Sequence, residues 1–485
     1  MSKDRSVARW RVSYLGFCAV LILAQLLRGL SLATPGVRST TFEFAWSLQG
    51  FAPAIPLSWF PWIQLLYPLL SALAYLGAVL ALPRCDLEVG AQRRWILVPT
   101  AIGLGLGLAT TSFLSSDVFL YHLLGVVQLA SDNPYLVGLN GLDQAQLAPY
   151  FPDGFGLANT VVYGPALLLL NFQLSLISGG GVSFGLFLLK LLSVLLFCGL
   201  LYLLWSLGRE FGAENAERIL RLTALNPLLM TELVFEGHNE LVIIFTLILA
   251  LWLELRGKTL LAVALLALAV FMKITTGLFF LLFCLYLVRS KKPGSILAAA
   301  GFLGVFAAFF TVRYQPDGIA QMLANLRTTE QLFTNSFLSS VLFSLRGFWT
   351  IIDSENVPTL ALAYFFLYLA RAGRFAVALP LYRFYRAGHN TVEYLALHAC
   401  QAYLLLYLFG TMFLWPHYFS LPLVLGILAS RKAEPRAAIY LSLAVPYLHL
   451  THAFSLDFAQ RGYVSVPLYL PAIWLLVQEL RSKTS

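Results

Sequence analysis

Asp117 and Tyr121 stand four residues apart at the head of an apolar stretch, DVFLYHLLGVVQLA (117–130), which leads into SDNPYL with Asp132, Asn133 and Tyr135. A carboxylate held within hydrogen-bond reach of a hydroxyl can take its proton as that oxygen attacks, so Asp117 is the candidate general base. Four other stretches carry groups of comparable chemistry. The sequence YGP holds Tyr163, and EGHNE (236–240) holds Glu236, His238, Asn239 and Glu240. Lys273 interrupts LAVALLALAVFMKITTGLFFLLFCLYLV, and WPHY (415–418) presents His417 between aromatic residues. His238 and Asn239 can donate or accept hydrogen bonds. Lys273 can meet an anion, and Tyr121, Tyr135 and Tyr163 offer aromatic rings with hydroxyl groups. Each also has a structural alternative. Asp117 suits a helix N-terminus, Asp132 suits a turn before Asn133-Pro134, and Lys273 can extend along apolar surface to reach water. His238 and Asn239 can cap a hairpin, and His417 and the tyrosines can belong to an interfacial aromatic belt.

These residues must be positioned by helices in a lipid setting. The 485 residues are 59% hydrophobic and only 11% charged, whereas soluble domains carry about 25% charge. Apolar runs of span length recur throughout, and backbone groups inside lipid must pair within their own segment, so the runs predict helices. The fold class expected is an all-α polytopic membrane protein of about fourteen spans, with interfacial helices on the outer face. The first run, 12–33, follows Lys3, Arg5, Arg9 and Arg11 and reads as a retained span. Alternate connections are basic (Arg84, Arg93 and Arg94; Arg209, Arg218 and Arg221; Arg289, Lys291 and Lys292; Arg431, Lys432 and Arg436), which predicts cytoplasmic termini and a multi-pass protein of the cell (inner) membrane. The net charge of +9 is thereby assigned to cytoplasmic anchoring, and no nucleic-acid partner is expected.

The organisation expected from these runs is 1–94 as N-terminal spans, 95–312 as a core with a long outer loop at 114–181, 313–356 as a second outer loop, and 357–485 as C-terminal spans. Within the first loop, GPALLLLNFQLSLISGGG (164–181) is expected to lie along or dip into the outer surface. Arg313, Arg327, Arg346 and Arg461 fall outside against the charge rule, and one of them is expected to touch an anionic group, a phosphate if the resemblance given below holds. The five cysteines show no CxxC spacing, which indicates neither a disulfide framework nor a zinc site. No P-loop, dinucleotide fingerprint or HExxH occurs, and no internal repeat of the transporter kind is found. No cofactor is expected: a divalent metal would need Asp117 to converge with other outer acids or His238, and no spacing within one helix enforces that.

The order Asp117–Tyr121, NPY (133–135), YGP (163–165), NP…GHNE (226–240), Lys273 and WPHY (415–418) resembles the multi-spanning GT-C glycosyltransferases. It is most similar to the bacterial polyprenyl-phosphate-mannose-dependent α-mannosyltransferases that build α-1,6-mannan cores, and the likeness runs from about residue 95 to 430. That resemblance implies an outer-face active site with Asp117 as its catalytic carboxylate. It also implies a polyprenyl-phosphate sugar donor, a glycan or glycolipid acceptor, membrane lipids as surroundings, and inverting transfer of mannose. Tyr121, Asn133, Tyr135, Tyr163, Glu236, His238, Asn239, Lys273 and His417 are the substrate-binding candidates. Two other readings stay open: a lipid-linked saccharide flippase or transporter, and a transferase of another polyprenyl-linked sugar such as glucose or arabinose.

Overall fold

The computed structural model describes residues 2–32, 60–109, 117–130, 133–142, 161–329, 332, 334–352, 358–430, 435–449 and 457–481. Asp132, the connection 34–58 and the stretch 143–160 lie outside them. The described elements are all helical, as the apolar runs predict.

Among the described residues, seven helices are long and apolar enough to cross a membrane: Ser6–Ala24, Leu65–Cys85, Phe184–Glu210, Pro293–Thr329, Thr359–Arg386, Val392–Phe409 and Ala459–Arg481. The number reaches eight if the bent pair Leu229–Phe235 and Glu240–Leu255 counts as one span. About fourteen were expected from the apolar runs. The difference is physical: glycine, proline and polar residues cut several runs into helices of 10–17 residues, including Thr259–Val270, Ile274–Arg289 and Pro416–Leu428. At about 1.5 Å per residue such pieces fall short of a hydrocarbon core of about 30 Å. The segment 313–356, expected as an outer loop, is also largely helical. Its first part continues the helix Pro293–Thr329, and most of the rest forms Phe337–Ile352, packed on Phe458–Arg481.

One hydrophobic core runs through most of the molecule. Val182–Glu210 lies within it against Ala213–Ala224, Glu240–Leu255 and the helix that begins at Asp117, and Val392–Phe409 is buried along almost its whole length. A smaller core joins Leu120, Leu124 and Val127 of Asp117–Leu129 to Leu168, Phe310 and Tyr314.

The helix Asp117–Leu129 opens with its only first-turn acid, where free N–H groups favour negative charge. After it, the Asn133 side chain accepts from the Tyr135 N–H at 3.1 Å and starts the short helical turn Pro134–Val137. Proline supplies the first residue of Pro165–Ile177, as its fixed φ allows. That helix packs across Asp117–Leu129 so closely that a side chain at Gly125 would collide with the Asn171 carbonyl and the Ser175 hydroxyl. The long helix Pro293–Thr329 breaks at Gln315 (φ 61°, ψ 154°), immediately before Pro316. Just ahead of the break, the Tyr314 hydroxyl donates to Gln128 Oε1 at 3.0 Å and to the Pro165 carbonyl at 3.3 Å, and the Tyr314 carbonyl accepts from the Asn133 amide.

Candidate active site

Three interrupted segments meet beside the head of Asp117–Leu129. In the first, Asn226 Oδ1 accepts from the Leu228 and Leu229 N–H groups at 3.0 and 3.3 Å and starts a π-helical turn, Leu229–Phe235. The chain then bends by 109° into Glu240–Leu255. Gly237 takes a left-handed backbone (φ +69°) at the bend, a conformation glycine adopts without a side-chain clash. The His238 N–H donates to the Glu232 carbonyl at 3.1 Å, which fixes the corner. From the neighbouring helix, the Lys190 ammonium donates to the carbonyls of Val234 (3.0 Å) and Phe235, holding the end of the π-turn. One wide turn thereby presents Glu232, His238 and Glu240 on the same side, and π-turns are frequent at functional sites.

The second interruption is at Lys273, whose extended backbone separates Thr259–Val270 from Gly277–Arg289. The Gly164 and Ala166 N–H groups donate to the carbonyls of Met272 and Phe271, each at 3.0 Å. The YGP sequence is therefore stitched to the residues just before Lys273. A side chain at Gly164 would strike those same carbonyls, which explains glycine at that position. The third is the turn Pro416–Phe419, entered through an extended Trp415, which carries the buried His417.

The side chains form a continuous polar cluster. His238, 2% exposed, turns Nδ1 towards Asp117 Oδ2 at 3.5 Å and Nε2 towards Glu232 Oε2 at 3.2 Å. Both are ion-pair distances without hydrogen-bond alignment. The His417 ring stacks on His238 with centroids 3.9 Å apart and planes at 32°. His417 Nδ1 lies 3.9 Å from Glu232 Oε2, and its Nε2 lies 3.6 Å from Glu240 Oε1. Glu240 accepts from the Lys273 ammonium, which also sits 3.9 Å from the centre of the Tyr418 ring. The Asp117 side chain keeps 30% of its exposure and that of Lys273 26%. These two are the cluster's approach from outside, and the imidazoles and remaining carboxylates form its floor.

Electrostatics follow from this crowding. Removal from water opposes ionisation of Asp117, but the His238 imidazole outweighs it and holds the carboxyl below the usual carboxylate range. Desolvation likewise disfavours a charged His238, yet the carboxylates of Asp117 and Glu232 bring it up to about 10. His417 is pushed down to about 3, chiefly by burial and, against the attraction of Glu240, by the cations at His238 and Lys273. Of two stacked imidazoles, one takes a proton at the other's expense. Asp117, His238 and His417 each also offer one ligand atom to a common point, and all three atoms lie within 4.8 Å of one another. The convergence that no single helix could enforce arises from tertiary packing.

Of the expected site residues, Asp117, His238, Lys273 and His417 are brought together. Tyr121 and Tyr163 stand beside them, edge to face at 5.2 Å, and Asn239 is buried at the same bend. Glu236 is buried two residues before His238. Asn133 and Tyr135 stand further back: Asn133 caps its own turn, and the Tyr135 hydroxyl donates to the Tyr163 carbonyl at 2.7 Å. Of the four arginines expected on the outer side, Arg313 packs against the rings of Phe172 and Tyr314 at 5.4 and 5.3 Å. Glu232 and Lys190 were not foreseen. Both lie inside runs read as ordinary spans, and the signal available was an ionisable residue within an apolar helix.

Comparison with known proteins finds relatives over part of the chain. The relative named alpha-(1->6)-mannopyranosyltransferase A from Mycobacterium tuberculosis is 27% identical over 230 residues, which is 45% of this chain and 44% of that protein. The protein of the same name from Corynebacterium glutamicum is 28% identical over 168 residues, 34% of this chain and 33% of that one. The chain thus spans less than half the length of the curated relatives it matches. A family described as alpha-(1->6)-mannopyranosyltransferase, N-terminal domain, matches residues 37–289. That range contains Asp117, Glu232, His238, Glu240 and Lys273 and more than half of the 485 residues; the chain belongs to this family.

Proposed function

We propose that the protein is an integral membrane glycosyltransferase that moves a mannosyl residue from a polyprenyl-phosphate donor to a glycan or glycolipid acceptor. The observation that carries the reading is the partly exposed Asp117 carboxylate, kept ionised by His238 in the same polar cluster as the partly exposed Lys273 ammonium. Two opposite requirements of the reaction are thereby met side by side. Asp117 takes the proton of an acceptor hydroxyl as its oxygen bonds to the anomeric carbon. The bond from that carbon to the phosphate oxygen breaks with its electron pair, and Lys273 stabilises the anionic lipid phosphate that leaves. A single displacement inverts the anomeric configuration, so a β-linked donor gives an α product. Tyr121 and Tyr163 supply aromatic walls for the sugar. The family and the names of its relatives support mannose as the sugar. With the bent pair Leu229–Phe235 and Glu240–Leu255 counted as one span, the eight candidate spans among the described residues are an even number, which together with the positive-inside charge pattern supports an active site on the outer face of the cell membrane with both termini in the cytoplasm.

The test supplies purified protein in lipid with labelled polyprenyl-phosphate mannose and a mannan-type acceptor. Wild type is expected to release polyprenyl phosphate and extend the acceptor. Asp117→Asn, nearly the same shape without the base, is expected to lose about 100-fold or more of kcat. Lys273→Ala is expected to raise KM for the donor as well. Undiminished transfer by Asp117→Asn overturns the base assignment, and movement of intact lipid-linked sugar across the bilayer supports a transporter instead.

A further inference from the structure

We infer that Asp117, His238 and His417 form the binding site of a divalent transition-metal cation of the Zn²⁺ or Mn²⁺ kind. The geometry comes first. A cation with nitrogen and oxygen ligands at about 2.0–2.2 Å sets those atoms about 3–3.5 Å apart. Asp117 Oδ2 and His238 Nδ1 already stand 3.5 Å apart, and the His417 donor lies within 4.8 Å of both. Closing the set takes a shift of about an ångström or a little more, mainly at His417, which sits in the short turn Pro416–Phe419.

The state of the imidazoles is the second, independent observation. His238 is almost wholly buried, and neither of its ring nitrogens makes an aligned hydrogen bond among the described residues. The two rings stack with centroids 3.9 Å apart, so both imidazoles stand side by side at one point. Behind the rings the structure repeats a feature of metal-binding histidines, whose second nitrogen faces a carboxylate that orients the ring. His238 Nε2 faces Glu232 at 3.2 Å, and His417 Nε2 faces Glu240 at 3.6 Å. Two imidazoles and one carboxylate suit first-row divalent metals better than Mg²⁺ or Ca²⁺, which prefer all-oxygen ligand sets.

The inference deepens the proposed transferase reading and rests on it only for its use: a cation bound through one Asp117 oxygen would lie beside the donor phosphate and leave the other oxygen to the acceptor hydroxyl. A proton on His238 is the competing occupant. The experiment therefore reads metal directly. Detergent-purified full-length protein is stripped with chelator and titrated with Mn²⁺, followed by electron paramagnetic resonance, and with Zn²⁺, followed by elemental analysis after gel filtration. Wild type is expected to hold about one equivalent per chain, with a Mn²⁺ spectrum showing coupling to imidazole nitrogen. His417→Ala and His417→Gln are each expected to bind at least tenfold more weakly, and a control, His389→Ala, to bind as wild type does. Absence of a stoichiometric site in wild type, or equal binding by the His417 variants, overturns the inference and leaves His238 as a proton-bearing bridge between Asp117 and Glu232. Metal bound with nitrogen coupling but no sugar transfer sustains the inference while sinking the transferase reading.

Discussion

Helix Glu240–Leu255 carries a buried glutamate at each end, and the two ends contrast sharply. Glu254 accepts from the Lys292 ammonium at 2.6 Å and from the Tyr286 hydroxyl at 3.3 Å, while Thr259 takes a second bond from Lys292 at 3.0 Å. Nearby on the same side of the bundle, Glu217 accepts from Arg93 at 2.7 Å and from the Trp205 indole at 3.3 Å, and the guanidinium lies over that indole. Cations there are spent in well-formed hydrogen bonds that fasten helices together. About 20 Å away along the helix, Glu240 shares its surroundings with Lys273, two stacked imidazoles, Asp117 and Glu232, and the contacts of His238 lack hydrogen-bond alignment. Both ends leave carboxylate oxygens without hydrogen bonds, Glu217 and Glu254 as well as Glu240, so the difference lies in the crowding: five further ionisable groups converge around Glu240, the kind of cluster expected at a functional site rather than at a structural joint.

The comparison can be broken or sharpened by substitution at both ends. The largest effect is expected at Glu232→Gln, which keeps the shape behind His238 but removes the charge that orients it. Activity should fall about 10- to 100-fold in kcat, with KM for the donor little changed and secondary structure retained. Loss of fold in circular dichroism without that kinetic signature would make Glu232 a structural residue like Glu254. Lys292→Met should act in the opposite sense. It strands the Glu254 carboxylate, 2% exposed, and is expected to cost about 1–3 kcal/mol of stability in detergent unfolding while transfer per folded molecule stays unchanged. A large drop in kcat would show that the two ends are coupled. Arg256→Ala, which removes the exposed pair with Glu210 (3.4 Å), should change stability by no more than about 0.5 kcal/mol.

Much of this was legible in the sequence. Apolar run length and the scarcity of charge announced a helical membrane protein, and Asp117, His238, Lys273 and His417 each stood out at a break in an apolar run. What failed was the count of spans, because run length alone does not reveal where Gly237, Lys273 or Pro416 divides a run into helices too short to cross. Glu232 was hidden for a related reason. In LNPLLMTELVF it reads as an isolated polar residue in a span, and only the wide π-turn and the bend at Gly237 swing it round to His238. The meeting of Asp117 with His417, 300 residues away, is a product of packing that no local spacing encodes.

The break at Gln315 divides a 37-residue helix into a first part of about bilayer length and a shorter second part. Tyr314 sits at the fulcrum, bound both to Gln128 on the Asp117 helix and to Pro165 of the YGP corner. A shift at this break would therefore reach the helix that begins at Asp117 and the seam beside Lys273 through one side chain.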